Sequence, residues 1–179
     1  YNDAYWFDQA ACSSPRAVFW VGDAEGARVA GEEFRTLLLD VLAAKQHVID
    51  PAMAVQKRVS AYGAAADGTI TAIAFDRGDN LATLELAEPA ALPREWLGAG
   101  TFATSHVGSL AELVPIVVRK DQTVSHFGFT KDELTGFASA LGGRGVDRIV
   151  PFGSALAFSA IWDGYDLLAE FSRLVNVRS

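Results

Sequence analysis

Ala17-Val18-Phe19-Trp20-Val21, closed by Gly22-Asp23, is the stretch that decides the fold. An unbroken apolar run rich in β-branched and aromatic residues suits a strand buried on both faces, and Gly-Asp ends it. The period then changes. Val29, Phe34, Leu37, Leu38, Val41 and Leu42 recur at helical spacing, with Glu32, Glu33, Arg35 and Lys45 among the polar positions between them. A buried strand feeding an amphipathic helix is the opening unit of an α/β fold.

Working outward, the alternation continues. Asp50-Pro51 pairs a capping carboxylate with a proline at the first helical position, and predicts a helix through about Tyr62. Asp67-Gly68 turns the chain into Thr69–Phe75, and Leu81–Leu86 follows across Arg77-Gly78-Asp79-Asn80, which predicts a hairpin. A short helical turn is expected after Pro93, then a strand over Thr101–Val107. Ser109-Leu-Ala-Glu112 has the form of a capping box and predicts a helix start, with Pro115 limiting its length. Thr123–Phe129 reads as a strand, Thr130-Lys-Asp-Glu133 as the cap of a helix ending at Gly142-Gly143, and Arg148–Phe152 as another strand. Asp163–Phe171 is predicted helical and Leu174–Val177 a last strand. The expected architecture is a Rossmann-like, mostly parallel sheet with helices on both faces, in one domain over residues 1–179.

Bulk properties narrow the function. The chain has 179 residues and a formal net charge of −7, with no basic block, so nucleic acid is not an expected partner. No apolar run approaches the roughly 20 residues of a membrane span, and no signal-like segment opens the chain. A single cysteine leaves no internal disulfide and suits a reducing, cytoplasmic setting. The start at Tyr1, with Met53 the only methionine, reads as the middle of an element, so the sequence is expected to be a fragment.

That cysteine is the main candidate for chemistry. Cys12 sits in Asp8-Gln9-Ala10-Ala11-Cys12-Ser13-Ser14-Pro15-Arg16, directly before the first strand. A lone cysteine ordinarily packs as a small hydrophobe. Here small neighbours on both sides let a carbonyl approach, and a thiolate is a strong nucleophile even as a minority species. Backbone N–H groups around it are candidates to stabilise an oxyanion.

Asp8-Gln9-x-Ala11-Cys12-Ser13-Ser14-Pro15 resembles the active-site cysteine motif of the LuxC-type acyl-CoA reductases, the fatty-acid reductases of bacterial bioluminescence and their relatives. Gly145-Val-Asp147-Arg148-Ile-Val-Pro151-Phe-Gly153, followed by Trp162-Asp163-Gly164-Tyr-Asp166-Leu, is similar to the C-terminal signature of the same family. The resemblance places the chain in the aldehyde dehydrogenase superfamily as a catalytic domain lacking its N-terminal nucleotide-binding half. It implies that the thiolate of Cys12 attacks a long-chain acyl-CoA, that CoA leaves, and that NADPH reduces the acyl-enzyme to an aldehyde. It also implies acyl-CoA or acyl-protein as substrate, an acyl-protein synthetase as partner and a homo-oligomer for the complete enzyme. No metal is implied. Ordinary members of the superfamily carry Gly-Gln-x-Cys, whereas Gln9 here stands three residues before Cys12 and follows Asp8. Their general-base glutamate and oxyanion asparagine have no counterpart in this chain. Glu95-Trp-Leu-Gly98 is similar to the segment whose glutamate holds the nicotinamide ribose, so Glu95 is the cofactor-binding candidate.

Two other readings stand beside this one: a cysteine acyltransferase or thioesterase with His106 or His126 as base, and an acyl-carrying interaction module. His47, His106 and His126 do not have metal-site spacing and are expected at the surface or hydrogen-bonded. Gly142-Gly143-Arg144-Gly145 follows a helix, which favours a helix-stop turn over a phosphate cradle. Arg148 and Asp163 are expected to form a buried pair, and Phe152, Phe158 and Trp162 to pack in the core, with the lining of an acyl tunnel as the alternative for these aromatics.

Overall fold

In the computed structural model, which describes residues 1–76 and 78–178, the apolar run forms β1 (Ala17–Val21) at one edge of a four-stranded sheet. The sheet is completed by β2 (Ile70–Phe75), β3 (Ala82–Leu86) and β4 (Thr101–Val107), in the order β1-β4-β3-β2. β1 and β3 both run parallel to β4, and β2 and β3 form the expected antiparallel hairpin. Arg77, placed in that hairpin's turn by its sequence, lies outside the described residues. The central strand β4 is buried at six of its seven positions, which its apolar and small side chains allow.

The period of two decides which helix covers which face. α1 (Asn2–Tyr5) and α2 (Ala24–Ala44) lie on one face, where Ala4, Tyr5, Leu38 and Leu42 pack with Leu81 and Phe102. α3 (Pro51–Ala66) covers the other, where Ala61 packs with Ile70, Leu84, Leu86 and Ala103. Phe102 and Ala103 are neighbours in sequence and belong to opposite cores. The expected α/β sheet with helices on both faces is therefore present. Capping at α3 works as read, with the Asp50 side chain accepting from Ala52 N and Pro51 at the helix start, and Asp23, read only as a strand stop, caps α2 by accepting from Gly26 N.

Beyond β4 the order thins out. β5 (Thr123–His126) and β6 (Arg148–Pro151) pair in parallel as a separate two-stranded unit beside α4 (Lys131–Leu141). Thr130 and Glu133 close the predicted capping box of α4, and Gly142 ends it in the left-handed conformation at φ 55°.

Several expectations fail here for local reasons. After Ser109 the chain makes only one 3₁₀ turn, Leu110–Leu113, because the Glu112 carboxylate accepts from Gly108 N before Pro115 intervenes. The turn near Pro93 comes earlier, as a 3₁₀ turn at Pro89–Ala91. Asp163-Gly164 adopts positive φ at both residues, 50° and 81°. That makes the tight turn between β7 (Ile161–Trp162) and β8 (Tyr165–Asp166) in place of a helix start. The helix is only α5 (Leu167–Glu170). Leu174–Val177 forms no strand and meets no partner edge among the described residues.

Candidate functional site

Cys12 lies on a tight turn between α1 and β1, with Ser14 N donating to Ala11 O at 3.1 Å across it. The thiol is exposed and free. The N–H groups of Ala11, Cys12 and Ser13 meet no acceptor among the described residues. Approach to the turn is unusual, with Asp8 and Gln9 both left-handed at φ 48° and 58°. Such non-glycine conformations persist only where the surroundings enforce them.

Gln9 supplies the enforcement. Its side chain is fully buried. Nε2 donates to Pro15 O at 2.8 Å and Thr101 O at 2.9 Å, and Oε1 accepts from Thr101 N at 2.8 Å. One carboxamide thus joins both ends of the Cys12 loop to the first residue of the central strand. The adjoining hydroxyls of Ser14 and Thr101 are buried without a partner among the described residues.

Two further segments converge on the same N-terminal stretch. Trp96 Nε1 donates to Asp8 O at 3.0 Å, so the Glu95–Gly98 segment rests on the loop. Arg94 holds that segment in place through a two-bond pair with Asp121, both at 2.9 Å, while Arg16 donates to Arg94 O. From the other side, the buried Asp3 accepts from Gly153 N at 2.7 Å and Ala155 N at 3.0 Å. The stretches singled out at the two ends of the sequence are thereby joined through α1.

A groove of about 460 Å³ opens beside the loop, lined by Phe7, Asp8, Ala10, Arg16, Met53 and Trp96. Its walls are mostly apolar, with one cation and one carboxylate. Cys12 is not among the lining residues and follows Ala10 by two positions.

Other candidates fall elsewhere. Glu95 is exposed, and its carboxylate folds back to accept from Arg94 N. His106 bonds Gly22 O at the far end of β4 from Thr101, roughly 16 Å away at strand rise. His47 packs edge-on against Tyr5, and His126 Nδ1 is buried without a partner among the described residues. Among the described residues Cys12 Sγ makes no hydrogen bond, to a histidine or to any other group. Among the described residues no group of three His, Cys, Asp or Glu side chains could hold a metal ion, and no helix is long and apolar enough to cross a membrane.

The expected Arg148–Asp163 pair is not formed. Arg148 is buried and donates to Ala155 O and Ala157 O, with its guanidinium 4.2 Å from the Trp162 ring centre, while Asp163 is committed to the hairpin turn. Backbone carbonyls satisfy a buried guanidinium without a carboxylate. Phe152 and Phe158 are exposed, not core, and only Trp162 is half-buried beneath Arg148.

No protein-family model and no curated protein matches this chain.

Sequence inspection missed two buried polar residues. Asp3 carries no signal in the sequence. Lys57 does: it stands four residues from both Met53 and Ala61, on the inward stripe of α3. It is fully buried, with Nζ donating to Asp79 O at 2.6 Å. Desolvation lowers its pKa to about 8, against the opposing pull of Asp76 and Asp79. Burial likewise raises the Tyr5 phenol above its ordinary value, with Asp76 and Asp8 adding to the effect.

Proposed function

We propose that this chain carries the acyl-transfer half of acyl-CoA reduction, with Cys12 as the residue that becomes acylated, within a catalytic domain of the aldehyde dehydrogenase type. The observation that carries the reading is the exposed thiol on a turn whose neighbouring N–H groups are open, beside an apolar groove. The thiolate adds to the thioester carbonyl, and the N–H groups of the turn are available to the developing oxyanion. Collapse expels CoA as a thiolate, which takes up the proton that Cys12 lost. A thioester is exchanged for a thioester, with no change of oxidation state.

Reduction of the acyl group to an aldehyde needs a hydride, for which NADPH is the implied donor. The residues described here do not fit that cofactor. The α2 N-terminus, where a dinucleotide phosphate would sit in a Rossmann-like unit, is occupied by the Asp23 carboxylate with Glu25 beside it. The Glu95 carboxylate accepts from the backbone N–H of Arg94. Neither segment offers NADPH a free group for its phosphates or its ribose.

Exposing the chain to decanoyl-CoA tests the reading by release of free CoA. One equivalent is expected, and none from Cys12→Ser. Equal release from Cys12→Ser would overturn it.

A further inference from the structure

The Gln9 carboxamide is the least explained group in the molecule if the Cys12 loop is only a connection. A methionine would fill the same volume, and an eleven-residue link from α1 to β1 needs no tie to β4. Yet both amide N–H bonds and the carbonyl oxygen of Gln9 are spent on Pro15 and Thr101, in a side chain with no solvent exposure. The backbone at Asp8 and Gln9 is held left-handed to bring it there. What the tie secures is a short loop of small side chains in which Ser14 N is paired and the N–H groups of Ala11, Cys12 and Ser13 are left open.

We propose that Gln9 is a positioning residue for acyl transfer: by fixing both ends of the loop to β4, it holds the open N–H groups around Cys12 where the thioester oxyanion forms. The proposal rests on the reading that Cys12 accepts an acyl group. Gln9 acts through the backbone and touches neither the sulfur nor the substrate. Preorganised donors are effective because they need no rearrangement when charge develops, and loss of one such donor slows acyl transfer by about 100-fold.

Two probes separate positioning from simple folding. Iodoacetamide alkylates the sulfur by displacement at a saturated carbon and forms no oxyanion, whereas decanoyl-CoA acylates it through one. In Gln9→Met, acylation by decanoyl-CoA is expected to fall by about 100-fold, with alkylation by iodoacetamide within about 3-fold of the wild-type rate. Gln9→Asn, which keeps the amide on a shorter stem that cannot span both partners, is expected to behave alike. Equal loss of both rates, or loss of neither, in whichever variant keeps the wild-type circular dichroism overturns the proposal. If neither variant folds, the role of Gln9 is structural and the proposal falls. A wild-type chain that alkylates but never acylates removes the underlying reading instead, and the proposal with it.

Discussion

Residues 17–107 and residues 108–178 are built on different terms. The first region has two apolar cores, one on each face of a four-stranded sheet, and fully buried side chains such as Leu81, Leu84 and Lys57. The second has two-residue and four-residue strands, aromatic pairs near the surface, and a tail in which Phe171, Leu174, Val175 and Val177 are almost wholly exposed. Its ties to the remainder include polar contacts from Asp3 to Gly153 and Ala155 and from Arg94 to Asp121 and Ile116. The first region buries apolar side chains in two clusters, whereas the second buries few, Phe137, Leu141 and Ala155 among them. The site lies where these two regions meet, because Asp3 and Gln9 belong to the same N-terminal segment and reach to opposite partners.

Truncation gives the largest expected contrast. Leu84→Ala should cost about 4 kcal/mol, since it empties space between α3 and the sheet. Phe171→Ala should stay within about 0.5 kcal/mol. Urea unfolding of the two variants checks this, and similar losses would erase the distinction between the regions.

Asp3→Ala comes next, at about 2 kcal/mol, because it strands two backbone N–H groups that a carboxylate now satisfies. Hydrogen exchange should quicken over residues 148–157 and remain slow in β3 and β4. Uniform quickening would show that the two regions open together.

The remaining effect is a pH dependence centred on Lys57 of the first region. The folded state holds Lys57 at about 8 against an ordinary 10.5, so it carries fewer protons than the unfolded chain between those values. Stability should therefore rise from about pH 8 towards pH 10 as the burial penalty disappears, with the penalty fully present below pH 8. The carboxylates of Asp76, Asp79 and Asp8 face this group and moderate the rise, and Arg58 adds to it. Above pH 10 the raised Tyr5 value works in the opposite sense, since the folded phenol resists ionisation. Thermal melts of Lys57→Met should lose the rise; a rise of unchanged size would assign it elsewhere.

Legibility in the sequence follows the same division. The strands and helices of residues 17–107 repeat apolar residues over long runs, so the type of each element could be read. Burial was less legible, since Val29, Leu37 and Val41 of the α2 repeat are exposed and β1, expected buried, is an edge strand of intermediate burial. Past Val107 the runs are short, and single turn residues decide the outcome. Asp163-Gly164 turned a predicted helix into a hairpin, and Arg148 found backbone carbonyls where a carboxylate was expected. The cysteine's exposure was consistent with its small neighbours, whereas the tie from Gln9 to Thr101 spans 92 positions and leaves no periodic trace. Lys57 was visible in principle, from its place on the inward stripe of α3.

Peptide mass spectrometry of the chain after incubation with decanoyl-CoA addresses the assignment of Cys12 most directly. The tryptic peptide carrying Cys12 should gain one decanoyl group, lose it on treatment with neutral hydroxylamine, and show no gain in chain first blocked with iodoacetamide. An unmodified Cys12 peptide in folded chain, or an acyl group found on any other residue, would contradict that assignment.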